Sequence, residues 1–366
     1  MAQPSKYEQA AWDALQRSRP RAGTRALHAL GDTTVRGAQA LAARVGDAAS
    51  GNAAVSRAAS AVGRTARRAA DAVPRSAVQA VNHWGAGAAE SAERALAAAA
   101  RVGLTPERVV AKHQRHMHPV ELLVDVRDLD LQQVDLVKGR AFKTYYPAVA
   151  AASGAATSFV VTGSELAVPV SAGAAAAPAG ALIAGAVAAD VAAVSTLASR
   201  AVGQVALAYG YDAADPTEKV FVLSVVNAGT AMSSSAKLAA VAELSVLTQH
   251  LYRGATWKVM DSTVARLYTQ FATRFGVRYT KQGLGKLVPG LGIAIGASFN
   301  WATLEGIVDA ADLAYRRRFL LDKYPFLADD ARESAAPEPD VAETPDVEIS
   351  VLGELAQAGG PDLREP

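Results

Sequence analysis

His113, His116 and His118 form the sequence's one metal-like pattern. His113 and His116 sit three apart, a spacing that shares a helix face, and imidazole sets suit first-row divalent metals. Lys112 and Arg115 flank them and oppose a bound cation, so a polar surface patch is the stronger expectation and no metal is expected. Asp190 stands between two apolar runs. A carboxylate buried there needs a partner, and the reading favours a helix-pair role bonded to Arg200 or a backbone amide over catalysis. Asp212, with Asn300 as an orienting amide, completes the set available for acid–base work. There are no cysteines, which excludes disulfides, thiolate nucleophiles and Cys-ligated centres. No Ser-centred elbow, HExxH pair or P-loop is present. Gly290, Gly292 and Gly296 superficially match a dinucleotide loop, but no alternating strand precedes them and no βαβ unit surrounds them. No cofactor and no catalytic activity are expected.

The elements that must hold these residues are helices. Apolar residues make up 51% of the chain, much of it alanine, and aromatics only 6%. Alanine forms helix well and carries little hydrophobic surface, so the helices are expected to be close-packed around a thin core. The reading is an all-α, multi-helix bundle with Gly/Ala-rich apolar hairpins at about 158–189 and 284–304. Helix starts are written at Thr105-Pro106-Glu107, at Asp130 with Gln133, and at Asp215-Pro216-Thr217-Glu218. Pro147 is expected to kink or end its helix, and the charge-poor stretch 148–189 to form two helices joined near Pro178 and Gly180. Further helices are expected at about 235–252 and 256–275. Glycines at 283–296 allow close helix approach. They lead into an amphipathic helix carrying Trp301, Leu304, Val308, Ala311, Tyr315 and Phe319, with Arg316, Arg317 and Arg318 in its last turns.

Charge is unevenly spread. Residues 1–118 hold 17 Lys+Arg against 8 Asp+Glu, a balance of +9, and residues 328–366 hold 2 against 11, a balance of −9. Three regions follow: a basic Ala/Arg-rich arm over 1–104 with loosely amphipathic helices, a helical domain over 105–327, and a disordered acidic tail over 328–366. Within the tail, Ile349-Ser350-Val351-Leu352 is a small apolar patch, either a weak docking motif or without role. The arm lacks interleaved aromatics, so nucleic acid is not an expected partner. No secretory signal is visible, and Leu166–Ala189 is long enough to span a bilayer but poor in Leu, Ile and Phe.

Ala206–Leu223, with Tyr-Gly-Tyr-Asp and the Asp-Pro helix start, and Leu287–Leu321, with its spaced glycines, Asn300 and terminal Tyr-Arg-Arg-Arg-Phe-Leu, resemble the EcsC protein family. The resemblance covers about 119–327. It implies that Asp190, Gly210, Asp212, Gly292, Gly296 and Asn300 occupy characteristic positions, while the Ala-rich region before Asp190 departs from the pattern. The family is named for a gene accompanying an ABC transporter linked to secretion, which implies a membrane-related role and gives no mechanism; its members have no established catalytic chemistry.

The expectation is therefore a non-enzymatic bacterial protein at an anionic membrane surface. It would be cytoplasmic or peripheral at the inner face of the cell membrane, with a possible protein partner in a transport or secretion system. Arg316, Arg317, Arg318, Lys286 and Trp301 are the candidate lipid contacts. One alternative is a soluble scaffold whose acidic tail masks the basic arm; another is a lipid-directed hydrolase using Asp190 and Asp212.

Overall fold

The structure, a computed structural model, describes residues 3–17, 105–170, 176–231, 233–252, 261–283, 292–330 and 348–363. The helices are α1 (Lys6–Arg17), α2 (Pro106–Arg115), a 3-10 helix (Leu123–Asp128), α3 (Leu131–Lys138), α4 (Phe142–Val170) and α5 (Ala176–Ala208). They continue with α6 (Pro216–Thr230), α7 (Ser234–Tyr252), α8 (Asp261–Gly283), α9 (Gly292–Lys323), α10 (Leu327–Asp330) and α11 (Val351–Gln357). No strand occurs among the described residues, so the fold is all-α.

Three of these starts follow the sequence signals closely. Thr105 caps α2 by accepting from the Arg108 amide, ahead of Pro106. Asp130 and Gln133 close a reciprocal capping box on α3, and Asp215 accepts from the Thr217 amide ahead of Pro216 on α6. Each satisfies a helix N–H that has no partner within its own helix.

The amphipathic helix α9 is the central element. It packs most extensively on α4, and also on α5, α6, α7 and α1. Leu304, Ile307, Val308, Ala311, Tyr315 and Phe319 on it are all buried. α4 and α9 run antiparallel: Lys143 pairs with Asp309 and Asp312 at one end, and Ser158 meets Gly296 at the other. Glycines set the spacing. A Cβ on Gly154 would lie 2.7 Å from Asn300 Cγ, and one on Gly296 2.6 Å from the Gly154 carbonyl oxygen. A similar approach joins α6 to α9, where a Cβ on Gly229 would sit 2.6 Å from Ile307 Cα.

Several boundaries differ from expectation. Pro147 neither ends nor breaks α4, which runs on to Val170. It sits early in the helix, where its missing N–H forfeits a single bond, and Tyr146 and Ala150 beside it are buried. α4 ends at Val170 and α5 begins at Ala176, so Pro178 falls in the first turn of α5, where proline is tolerated. The helix expected at 256–275 extends to Gly283.

The tail also differs. Residues 327–330 are helical, and 348–363 pack back on the bundle with Ile349, Val351, Leu352 and Leu355 buried. Acidic composition had pointed to disorder there, but the apolar positions of α11 find a surface to bury against. Of the basic arm, α1 is described and packs on α9 and α3; residues 18–104 and 331–347 lie outside the described residues.

Candidate functional site

The buried side chains gather on α9 in three polar layers, with a hairpin of a single charge beyond the first. That first layer joins α4, α5, α8 and α9. Asp190 Oδ1 accepts from Ser153 Oγ at 2.9 Å and from Asn300 Nδ2 at 2.9 Å, while Oδ2 accepts from Tyr279 Oη at 2.9 Å. Tyr279 Oη also contacts Asn300 Oδ1. All four residues are buried. Burial, then the Asp190 charge, pushes the Tyr279 hydroxyl well above the usual phenol range, so it acts as a donor and not as a base. The structure thus brings Asp190 and Asn300 together, as neighbours at the Gly154–Gly296 crossing. The partners are not the expected Arg200 or a backbone amide. Ser153 and Tyr279 escaped the sequence reading; the only signal was Phe271, Phe275 and Tyr279 at four-residue spacing, which reads as core.

The second layer is built by the Tyr-Gly-Tyr-Asp segment. Gly210 has φ +84° and a Cβ there would lie 3.0 Å from the Leu123 carbonyl, so glycine is required both by the turn and by the space. The turn sends its two tyrosines to different networks. Tyr209 accepts from Lys138 Nζ at 2.6 Å and donates to Asp312 Oδ1 at 2.9 Å. Asp135 accepts two bonds from Arg316 Nη2, at 2.8 and 2.7 Å, and one from Tyr7. Burial pushes the Asp312 carboxyl up, but Lys138, Lys143 and Arg316 outweigh it and hold it at about 2.

Tyr211 belongs to the third layer. Its ring lies between the Arg127 and Arg318 guanidinium groups, 4.2 and 4.1 Å away, and its hydroxyl donates to Asp322 at 2.7 Å. Arg318 Nη1 donates to both oxygens of Glu218, at 2.9 and 2.8 Å, and Tyr315 donates to the same carboxylate at 2.6 Å. Glu218, noted in the sequence only as a helix-start acid, is buried.

These layers relocate the lipid candidates. Arg316 and Arg318 are turned onto Asp135 and Glu218 inside the protein, so their charges are already matched. Arg317 and Trp301 are half-buried, and Lys286 lies outside the described residues. Asp212 is exposed and accepts from the Ala214 amide. It faces an open cleft of about 650 Å³ between α5, α6 and α8, which Arg200, Lys219 and Tyr268 also line. Asp190 and Asn300 are not among its lining residues.

The histidines do not come together as a ligand set: among the described residues no group of three or more His, Cys, Asp or Glu is placed to hold a metal. His113 is buried, with Nδ1 3.0 Å from His118 Nδ1, and His116 stacks on His118. One of the paired nitrogens must carry the proton and the other accept it, so charging both rings would set N–H against N–H. Burial, then His118, His116 and Lys112, pushes His113 down to about 4. The folded form therefore holds His113 neutral where the unfolded chain, with a pKa of ~6.5, is already binding a proton. Its contribution is fully present above pH ~6.5 and is lost as pH falls towards ~4. After allowance for solvent screening it should reach about 2 kcal/mol. Denaturant unfolding of the wild type and His113→Leu between pH 4 and 7 checks this: the stability difference should shrink towards the acid end.

Beyond the Asp190 layer lies the hairpin of α4 and α5. Ser153 and Asp190 mark its base; from there α4 runs on to Val170 and α5 starts back at Ala176. At ~1.5 Å per residue the two helices extend roughly 20–25 Å past that bond, whereas α9 extends only ~12 Å past Asn300. Glu165 is the one charged residue between 148 and 189. Among the described residues one helical stretch, Ala189–Ala208, is long and apolar enough by composition to cross a membrane. It is 61% buried inside the protein, where Val194, Leu197, Val202 and Val205 belong to the core.

The model of the EcsC protein family matches residues 88–320. Ser153, Asp190, Glu218, Tyr279, Asn300 and Arg318 fall within that span; the α11 segment falls outside it. A protein of Bacillus subtilis (strain 168) named "Uncharacterized protein YdbA" is 26% identical over 136 residues, 37% of this chain and 48% of that protein. The chain thus spans about half the length of the curated relative it matches. No solved structure matches.

Proposed function

The chain belongs to the EcsC protein family, and from that footing we propose that it is a non-enzymatic protein that attaches to anionic lipid surfaces through the α4–α5 hairpin. The observation that carries this reading is the pair of long helices with a single charge between residues 148 and 189, extended past the polar layer that ties them to α8 and α9. A reach of roughly 20–25 Å suffices to enter one leaflet of a ~30 Å hydrocarbon core. In the interior of a helix the backbone groups bond within their own segment, as a lipid environment requires.

The Asp190 layer then acts as a rivet at the base of the hairpin: four hydrogen-bonding groups from four helices fix its angle to the body. Electrostatic attraction comes from the +9 balance of residues 1–118, at about 1 kcal/mol per basic residue close to the surface. Arg316 and Arg318, matched internally, contribute little to it. A link to transport or secretion machinery, and a position at the inner face of the cell membrane, belong to the same proposal and rest on family membership alone. Catalysis is disfavoured because Asp190 and Asn300 spend their bonding capacity on each other and on Ser153 and Tyr279.

Flotation with vesicles tests the reading. The full chain should float with vesicles containing phosphatidylglycerol, less with phosphatidylcholine alone, and less again at high salt. Leu166→Glu with Ile183→Glu on the hairpin should cut flotation by at least roughly tenfold, since two charges moved into hydrocarbon cost several kcal/mol. Absence of flotation at every salt concentration, or flotation unchanged by the paired substitution, would overturn it.

A further inference from the structure

Residues 348–363 contact the bundle as a peptide contacts a receptor. α11 is seven residues long, too short to be stable alone. It presents Val351, Leu352 and Leu355, with Ile349 just ahead of it, and all four are no more than 2% exposed. That i, i+1, i+4 spacing is one helix face laid into a groove.

Three side chains from three helices read the segment. From α7, the Glu243 carboxylate takes both the Ser350 hydroxyl and the Val351 amide, the latter at 2.9 Å. From α6, Asn227 Nδ2 donates to the Ile349 carbonyl at 2.7 Å, its amide held the right way round by Arg278 Nη1, which donates to Asn227 Oδ1 at 2.8 Å. From α8, Arg274 Nε pairs with Glu354 at 2.7 Å. Two of these contacts fix backbone groups and two read side chains, a division typical of a recognition site.

The chain between the bundle and this segment, 331–347, carries Glu333, Glu338, Asp340, Glu343 and Asp346 together with three prolines. It is the covalent tether between the two. Fully extended it reaches on the order of 50 Å, enough to offer the segment to a neighbouring molecule.

We propose that α6, α7 and α8 form a docking groove for a short apolar helix, and that segment 348–363 is its exchangeable ligand, bound in cis and equally able to bind in trans from a second copy of this chain. The tether keeps the local concentration of the segment high, so the cis form dominates in the intact molecule. This inference is independent of the lipid reading.

A protease site inserted between Pro339 and Asp340 of the full chain provides the test. Fluorescent peptide of the 348–363 sequence is added before and after cleavage, and anisotropy is recorded. Binding to the cleaved chain should be at least roughly tenfold tighter than to the intact chain, because cleavage removes the cis competitor. Leu352→Asp with Leu355→Asp in the peptide should abolish binding. Glu243→Gln in the chain should weaken it by about tenfold through loss of the charged acceptor. The proposal is overturned if the cleaved chain keeps its segment without exchange, if it unfolds on cleavage, or if intact and cleaved chains bind the peptide alike.

Discussion

Replacement of Glu218 by alanine is expected to destabilise the fold by about 3–5 kcal/mol, the usual result of leaving a buried ion without its partner. Arg318 is 7% exposed and Glu218 5%. The guanidinium is enclosed by the rings of Tyr211 and Phe221, 4.1 and 4.9 Å away, so water cannot replace the carboxylate without opening the core. Its Nε is buried without a hydrogen-bond partner, and Asp322 Oδ2, at 3.9 Å, is too distant to serve. Burial pushes the arginine's pKa down, and Glu218, Tyr211 and Tyr315 more than reverse that, so without the carboxylate the guanidinium stays charged and unmatched. Tyr315 would lose its acceptor in the same stroke.

Two further variants separate charge from shape. Glu218→Gln keeps an acceptor for Tyr315 but not the charge, and should fall between wild type and alanine. Arg318→Met combined with Glu218→Gln removes both ions and should recover much of the loss. Urea unfolding of these variants, with Arg318→Met alone to complete the cycle, decides the matter. If the double variant is as unstable as the sum of its singles, the pair is not coupled and the argument fails.

The parts of this architecture that were legible in the sequence are the local ones. Caps at Thr105, Asp130 and Asp215 depend on groups two or three residues away, and a reader of the chain sees both partners at once. The buried stripe of α9 was visible for the same reason: Leu304, Val308, Ala311 and Tyr315 repeat with the helix period. What escaped was every pairing across the chain. Ser153, Tyr279 and Asn300 lie 37, 89 and 110 residues from Asp190, and nothing in the spacing announces them.

The internal partners of the arginine run were hidden for a related reason. Basic residues in the last turns of a helix complement its dipole at the surface, and the sequence does not reveal that Asp135 and Glu218, 181 and 100 residues earlier, fold beneath them. Acidic composition hid the docked segment in the same way, because Val351, Leu352 and Leu355 are few among many charges. Composition averages over a stretch, whereas docking needs three residues on one face.

A single methyl group at Gly296 should cost more than most core truncations. Its Cβ would fall on Ser158 Oγ and lie 2.6 Å from the Gly154 carbonyl oxygen, an atom of the facing backbone that cannot rotate away. α4 and α9 must therefore separate, and the separation acts where it does most harm. Asn300 is one turn along α9 from Gly296, and Ser153 is next to Gly154 on α4. Both donate to Asp190 Oδ1 at 2.9 Å, so a shift of even ~1 Å takes them out of bonding range. Overpacking costs about 1–3 kcal/mol and each orphaned buried polar group about 1–3 kcal/mol more, giving an expected loss of roughly 3–6 kcal/mol for Gly296→Ala. Gly276→Ala on α8 is the matched control. There the added Cβ meets Val191 Cγ1 at 3.4 Å, an ordinary contact, and better helix propensity should leave it neutral or up to ~1 kcal/mol more stable. Thermal and urea unfolding compare the two. Equal stability of Gly296→Ala and Gly276→Ala would mean that the α4–α9 crossing is looser than its glycines imply, and the rivet at the base of the hairpin would lose its physical basis.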